Sequence, residues 1–164
     1  MTLLSRLIGY VPTEERRGIR LDEADPWRVG GTRVERAFLR ALPALMPADS
    51  VLYLEGVPEA HVAQYLAEVS IPAAAKVAMG TIWPRPNVFH LSLTAEVIEA
   101  LTAFLEVHPA GYFCTHCHVY SDGRMLLQWH DAFGSDPMYI SRVLEGDHVR
   151  DFAAKLGSTV NSGW

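Results

Sequence analysis

The chain has only two cysteines in 164 residues, no long apolar run and no surplus of basic side chains, and each scarcity removes a class of protein. Cys114 and Cys117 stand three apart in a stretch that reads as strand, so their side chains point to opposite faces and do not easily bridge. They are expected as free thiols in a reducing compartment, with the cytoplasm as the default. A zinc knuckle needs a tight turn between its cysteines, and the residues here read as strand instead. No run approaches the roughly 18 apolar residues of a membrane span, so no membrane partner is expected. The opening MTLLSRLIGYV is interrupted by Arg6 and lacks a small-residue cleavage site, and it reads as a packing segment rather than a signal peptide. With 14 Lys and Arg against 19 Asp and Glu, the net charge of −5 leaves no basic stripe, and nucleic acid is not expected as a partner. The phosphate-binding, dinucleotide, serine-hydrolase and zinc-protease signatures are all missing, as are internal repeats and low-complexity segments.

What is there is an apolar fraction of 49%, enough for one domain with a real core. Residues 1–30 read as an N-terminal arm, 31–158 as a single α/β (α+β) domain, and 159–164 as a frayed tail. Residues 13–28 mix charges of both signs with a glycine and a proline, and no fixed structure is assigned to them. The arm also carries Leu3, Leu4, Leu7, Ile8 and Trp27, more apolar surface than a free arm should expose, so it is expected to dock on its own domain or on a second copy. A homodimer follows as an expectation.

Thr32 and Glu35 have the spacing of a capping box, and Val34, Phe38, Ala41 and Leu42 follow at helical spacing until Pro43, which is expected to limit the helix. Val51 to Glu55 reads as a strand and Pro58 as the start of a helix presenting Val62, Tyr65, Leu66 and Val69. Lys76 to Trp83 reads as a second strand, parallel to the first through a right-handed crossover. Val88 to Leu93 is a further strand, and Thr94 caps a helix carrying Val97, Ile98, Leu101, Phe104 and Leu105, ended by Pro109 and Gly111. A hairpin then runs from Tyr112 to Asp131, followed by a short strand at Met138 to Ser141 and a last helix with Val149, Phe152, Ala153 and Leu156. The sum is a mixed sheet of about five strands with roughly four helices packed on it.

The hairpin concentrates the chemistry. It holds both cysteines, Trp129 and three of the seven histidines around an Asp122-Gly123 turn of the kind that favours type I′ geometry. Pairing Ser121 with Arg124 sets His118 opposite Leu127, His116 opposite Trp129 and Cys114 opposite Asp131, all on one face. His116 and His118, roughly 6 to 7 Å apart on that face, could converge on a divalent metal with Asp131 as an oxygen ligand. The simpler reading packs these histidines beside Leu127 and Trp129 with no cofactor. A thiol nucleophile at Cys114 beside His116 is the weaker alternative, because side chains two apart stand parallel. A second candidate site lies at the carboxyl ends of the expected parallel strands, where Glu55, Thr81 and Trp83 would form a pocket rim within reach of His90. Alternatively, Glu55 accepts amides at the start of the helix that follows it. The composition points to a non-enzymatic cytoplasmic binding or regulatory domain with a protein partner. The alternative is a metal-dependent enzyme built on His116, His118 and Asp131.

Overall fold

Alternation of apolar and polar residues along the strands builds a sheet with two unlike faces. The computed structural model describes residues 17–81, 84–108 and 113–161. Within them lie β1 (Trp27–Val29), α1 (Glu35–Leu45), β2 (Val51–Gly56), α2 (Ala60–Val69), β3 (Asn87–Ser92) and α3 (Ala95–Val107). These are followed by β4 (His116–Ser121), β5 (Arg124–Trp129), β6 (Met138–Ile140), α4 (Gly146–Lys155) and β7 (Val160–Asn161). The seven strands form one sheet in the order β3-β2-β4-β5-β6-β1-β7, and every neighbouring pair is antiparallel. The α+β class is therefore the observed one, with a sheet larger than the five strands expected. The additional strands, β1 and β7, come from the stretches read as arm and tail. Trp27 is tied down twice: its indole N–H donates to the Leu144 carbonyl at 3.3 Å, and the Arg142 guanidinium lies 3.7 Å from its ring centroid. Leu3, Leu4, Leu7 and Ile8 of the expected arm lie outside the described residues, as do Tyr112, Pro109 and Gly111 of the later elements. No helix among the described residues is long and apolar enough to cross a membrane.

The expected βαβ crossover is not formed. Residues 76–81 make no strand, β2 has the antiparallel β3 and β4 as neighbours, and among the described residues the parallel pairing of this segment is a single bridge between Ile19 and Val77. The segment after α2 lies instead across the far face of the sheet, where Val77 packs with Val51, Tyr53, Tyr120 and Met125 in a small second core. Ile19 and Leu21 pack against that cluster as well. The main core lies on the opposite face, where Leu52, Leu54, Cys117, Val119, Leu127 and Trp129 meet Phe38, Val62, Leu101 and Phe152 from the four helices. Burying each such side chain contributes about 1.5–3 kcal/mol.

Both ends of α1 also depart from expectation. Thr94 caps α3 as the sequence indicates, its hydroxyl accepting the Val97 amide at 3.3 Å. Thr32 instead accepts the amide of Val34, two residues on, and α1 has no side-chain cap. Nor does Pro43 end α1, which runs through it to Leu45. The proline ring fixes a helical φ, and near the last turn the missing N–H costs a single hydrogen bond, offset here by burial of Leu45.

Candidate functional site

The hairpin turn forms as its sequence indicates, with Asp122 at φ 48° and Gly123 at φ 68°, the two positive values of a type I′ turn. Ser121 pairs with Arg124, but the register then slips by one: Tyr120 faces Met125, Val119 faces Leu127, and Leu126 is the extra residue of a β-bulge. This corrects the expected facing pairs. His118 lies opposite Gln128, and Cys117, not His116, lies opposite Trp129. The physical cause is burial: the bulge lets Leu126 and Leu127 both enter the main core while Trp129, fully buried there, packs on Phe38 at 5.1 Å. The even-numbered histidines are left on the other face, among polar partners.

On that face the side chains stand in two cross-strand rows. His90, Tyr53, His118 and Gln128 occupy one, and Glu55 with His116 begins the next. Tyr53 lies between two imidazoles, stacked on His118 with centroids 5.5 Å apart and edge-on to His90 at 5.3 Å. His130, just past the end of β5, completes a triangle of imidazoles: 4.8 Å from His116 and 5.0 Å from His118, which are 6.2 Å from each other.

Glu55 is completely buried, and its carboxylate is surrounded by donors. The Tyr53 hydroxyl donates to Oε2 at 2.7 Å, the Gly80 amide to the same oxygen at 3.1 Å, and the Thr81 amide to Oε1 at 2.5 Å. His116 Nε2 stands 4.0 Å from Oε1. Glu55 meets Thr81 through Thr81's backbone amide, and not at the ends of parallel strands. The amides it accepts belong to the segment after α2, not to the helix start. Trp83 lies outside the described residues. His90 does not touch Glu55; its Nδ1 lies 2.9 Å from the Tyr120 hydroxyl.

Obligate donors fix the tautomers of the cluster. A backbone N–H can only donate, so the Asp131 amide at 3.2 Å makes His116 Nδ1 an acceptor and leaves the proton on Nε2, toward Glu55. His130 Nδ1, 3.3 Å from the same nitrogen, must then be a donor, which makes its Nε2 the acceptor of the Gln128 amide nitrogen at 3.0 Å. From the other end, the Leu21 amide donates to Gln128 Oε1 at 3.0 Å and fixes that side chain in the same orientation. Two independent backbone donors therefore impose one polarity on the chain Leu21, Gln128, His130, His116, Glu55. His118 Nδ1 accepts the Trp129 amide at 3.1 Å. Burial, with His130 and His116 as like-charged neighbours, pushes His118 down from 6.5 to about 3. Burial and His116 lower His130, and burial alone lowers His90.

For the expected metal set, the geometry places His116 and His118 side by side with rings only 9° from parallel, and Asp131 meets His116 through its amide. Among the described residues no group of three His, Cys, Asp or Glu side chains is arranged to hold a metal ion. Both Nδ1 lone pairs point at N–H donors. Cys114 is buried on the core side next to Cys117, and burial, with Cys117 as its hydrogen-bonding neighbour, raises its pKa well above that of a free thiol, the opposite of what a nucleophile needs. His130 and Gln128 were not singled out from the sequence. The signal for them was their even numbering with respect to His116 and His118, which becomes visible only once the bulge is allowed for.

No family model matches this chain, and searches of curated proteins and of solved structures find no match.

Proposed function

We propose that the chain is a non-enzymatic cytoplasmic binding domain whose partner is a protein, whether another chain or a second copy of this one. The observation that supports this reading is how completely the polar cluster is used internally. Glu55 is occupied by Tyr53, Gly80 and Thr81, and the lone-pair nitrogens of His116, His118 and His130 each receive an N–H. A catalytic base needs a lone pair directed at substrate, and in this cluster those lone pairs are directed at the protein. What the network does is hold two segments, residues 17–22 and 71–81, against this face of the sheet. It acts as a clamp under a surface. The two neighbouring free thiols, both buried, accord with a reducing compartment.

The test is the sign of a stability change. In Glu55→Gln one oxygen becomes an N–H₂ donor facing donors from Tyr53, Gly80 or Thr81, which should cost about 3 kcal/mol or more. Urea titration followed by tryptophan fluorescence measures it, and amide exchange at Gly80 and Thr81 should accelerate together. Functional polar groups are commonly held at a cost in stability, so a variant as stable as the wild type, or more so, would favour a working site over a clamp.

A further inference from the structure

An open groove of about 720 Å³ lies on the surface the clamp supports, between residues 17–22 and the β4–β5 turn. Its charges are unspent. Arg17, Arg20 and Arg124 line it and make no ion pair or side-chain hydrogen bond among the described residues, and the same holds for Asp22 and Asp122. Of the other described arginines, Arg36 and Arg40 reach Glu106 at 3.0 and 3.6 Å, Arg142 reaches Asp25 at 2.8 Å and Arg150 pairs with Asp147, whereas Arg28, Arg33 and Arg85 have no such partner among the described residues but do not line this groove. In a chain of net charge −5, what sets Arg17, Arg20 and Arg124 apart is that three unpaired guanidinium groups stand around one concavity.

The groove is also built on a fixed backbone. Ile19 donates its amide to the Lys76 carbonyl at 2.8 Å and accepts the Ala78 amide at 3.1 Å, and Leu21 is held by Gln128. Further along, the Glu23 carboxylate accepts the Arg142 amide at 2.8 Å. Because Ile19 and Leu21 turn inward to the second core, the alternating Arg20 and Asp22 turn outward and are exposed. Ile19 and the buried Met125 also line the groove, so apolar side chains lie among its charges. Arginine and methionine around an apolar centre, on a preorganised backbone, is the composition of a protein-recognition patch, and rigidity removes part of the ordering cost of binding.

We propose that this groove binds a carboxylate-bearing peptide segment of a partner protein. The planar guanidinium fork matches a carboxylate with two parallel hydrogen bonds. Asp22 and Asp122 narrow the choice: they repel a continuous polyanion but can accept backbone amides or a lysine flanking the acidic residues. This partner class rests on the binding-domain reading and deepens it.

Fluorescence anisotropy on the full chain tests it with a labelled peptide of alternating glutamate and glycine. Matched glutamine and lysine peptides and a labelled oligothymidine serve as competitors of different class. The glutamate peptide should bind at least about tenfold more tightly than the other three, and Arg20→Ala and Arg124→Ala should each weaken it about tenfold at low salt, with unchanged melting temperatures. Arg85→Ala, an exposed arginine away from the groove, should leave binding unchanged. Equal binding of the glutamine peptide, tighter binding of the oligonucleotide, indifference to Arg20→Ala and Arg124→Ala, or no binding at millimolar peptide would each overturn the proposal. Failure here with a destabilised Glu55→Gln removes the groove and keeps the clamp; peptide binding with a stable Glu55→Gln does the reverse.

Discussion

Acidification should destabilise this protein before its carboxylates titrate, and His118 sets the size of the effect. In the folded state its Nδ1 accepts the Trp129 amide, its ring lies against Tyr53, and His116 and His130 flank it, so protonation meets a donor, an apolar surface and two like-charged neighbours. Its pKa is pushed from 6.5 to about 3, so the unfolded chain binds a proton that the folded chain refuses. The stability this group contributes is therefore fully present above pH 6.5 and is lost as the pH falls toward 3. Linkage gives about 2 kcal/mol lost between pH 7.5 and pH 5.0 from this residue alone. His130 and His90, both lowered, act in the same direction. For a chain of this length that corresponds to a fall in melting temperature of about 4–8 °C.

Equilibrium urea unfolding at pH 7.5, 6.5, 5.5 and 5.0, with tryptophan fluorescence as the probe, measures the loss. His118→Asn supplies the control, because its amide oxygen stands where Nδ1 stood and keeps an acceptor for the Trp129 N–H without a titrating group. The variant's loss over the same range should be smaller than that of the wild type by about 2 kcal/mol. A wild type equally stable at pH 5.0 and 7.5, or a variant with the full wild-type pH dependence, would refute the reasoning.

Gly80→Ala should destabilise by about 1–3 kcal/mol in thermal unfolding, since a Cβ there would lie 2.5 Å from His116 Cδ2, on a ring held by the Asp131 amide. Gly123→Val should cost about 1 kcal/mol or more, because φ at that position is 68° and a β-branched residue is strained there, although nothing within 4 Å would block it. Chelator and added zinc should both leave the melting temperature unchanged, because the Nδ1 lone pairs of His116 and His118 are taken by backbone amides; a rise with zinc would return the metal-dependent enzyme to consideration.

The parts of this fold that were legible in the sequence are those set by local chemistry. Thr94 caps α3 because its hydroxyl reaches an amide three residues away, and Asp122-Gly123 turns because both residues tolerate positive φ. The last helix stops where Gly157 adopts φ 65°. What failed depended on competition at a distance. Lys76 to Trp83 has the composition of a strand, but β2 already has β3 and β4 on its two edges, so the segment lies across the sheet face instead of joining it. Trp27 sits in a charged stretch that resembles a loop, yet its side chain packs on the domain through Leu144 and Arg142, residues more than a hundred positions away.

The candidate site illustrates the same division at the scale of one residue. His116 and His118 were visible as a pair, because an every-other-residue spacing puts them on one face whatever the partner strand does, while Glu55 stood apart from them in a second candidate site. Which face that was depended on Leu126. An unbulged hairpin would place Trp129 beside the histidines and Gln128 in the core, burying an amide without a partner and exposing the largest apolar side chain. The bulge exchanges them, at the cost of one unpaired position in the ladder. It thereby delivers to the polar face the one side chain, Gln128, that can accept from Leu21 and donate to His130 at once. Core packing of Trp129 and the polarity of the histidine chain are thus two outcomes of one inserted residue, and the sidedness of the site follows from the hydrophobic core, not from the histidines themselves.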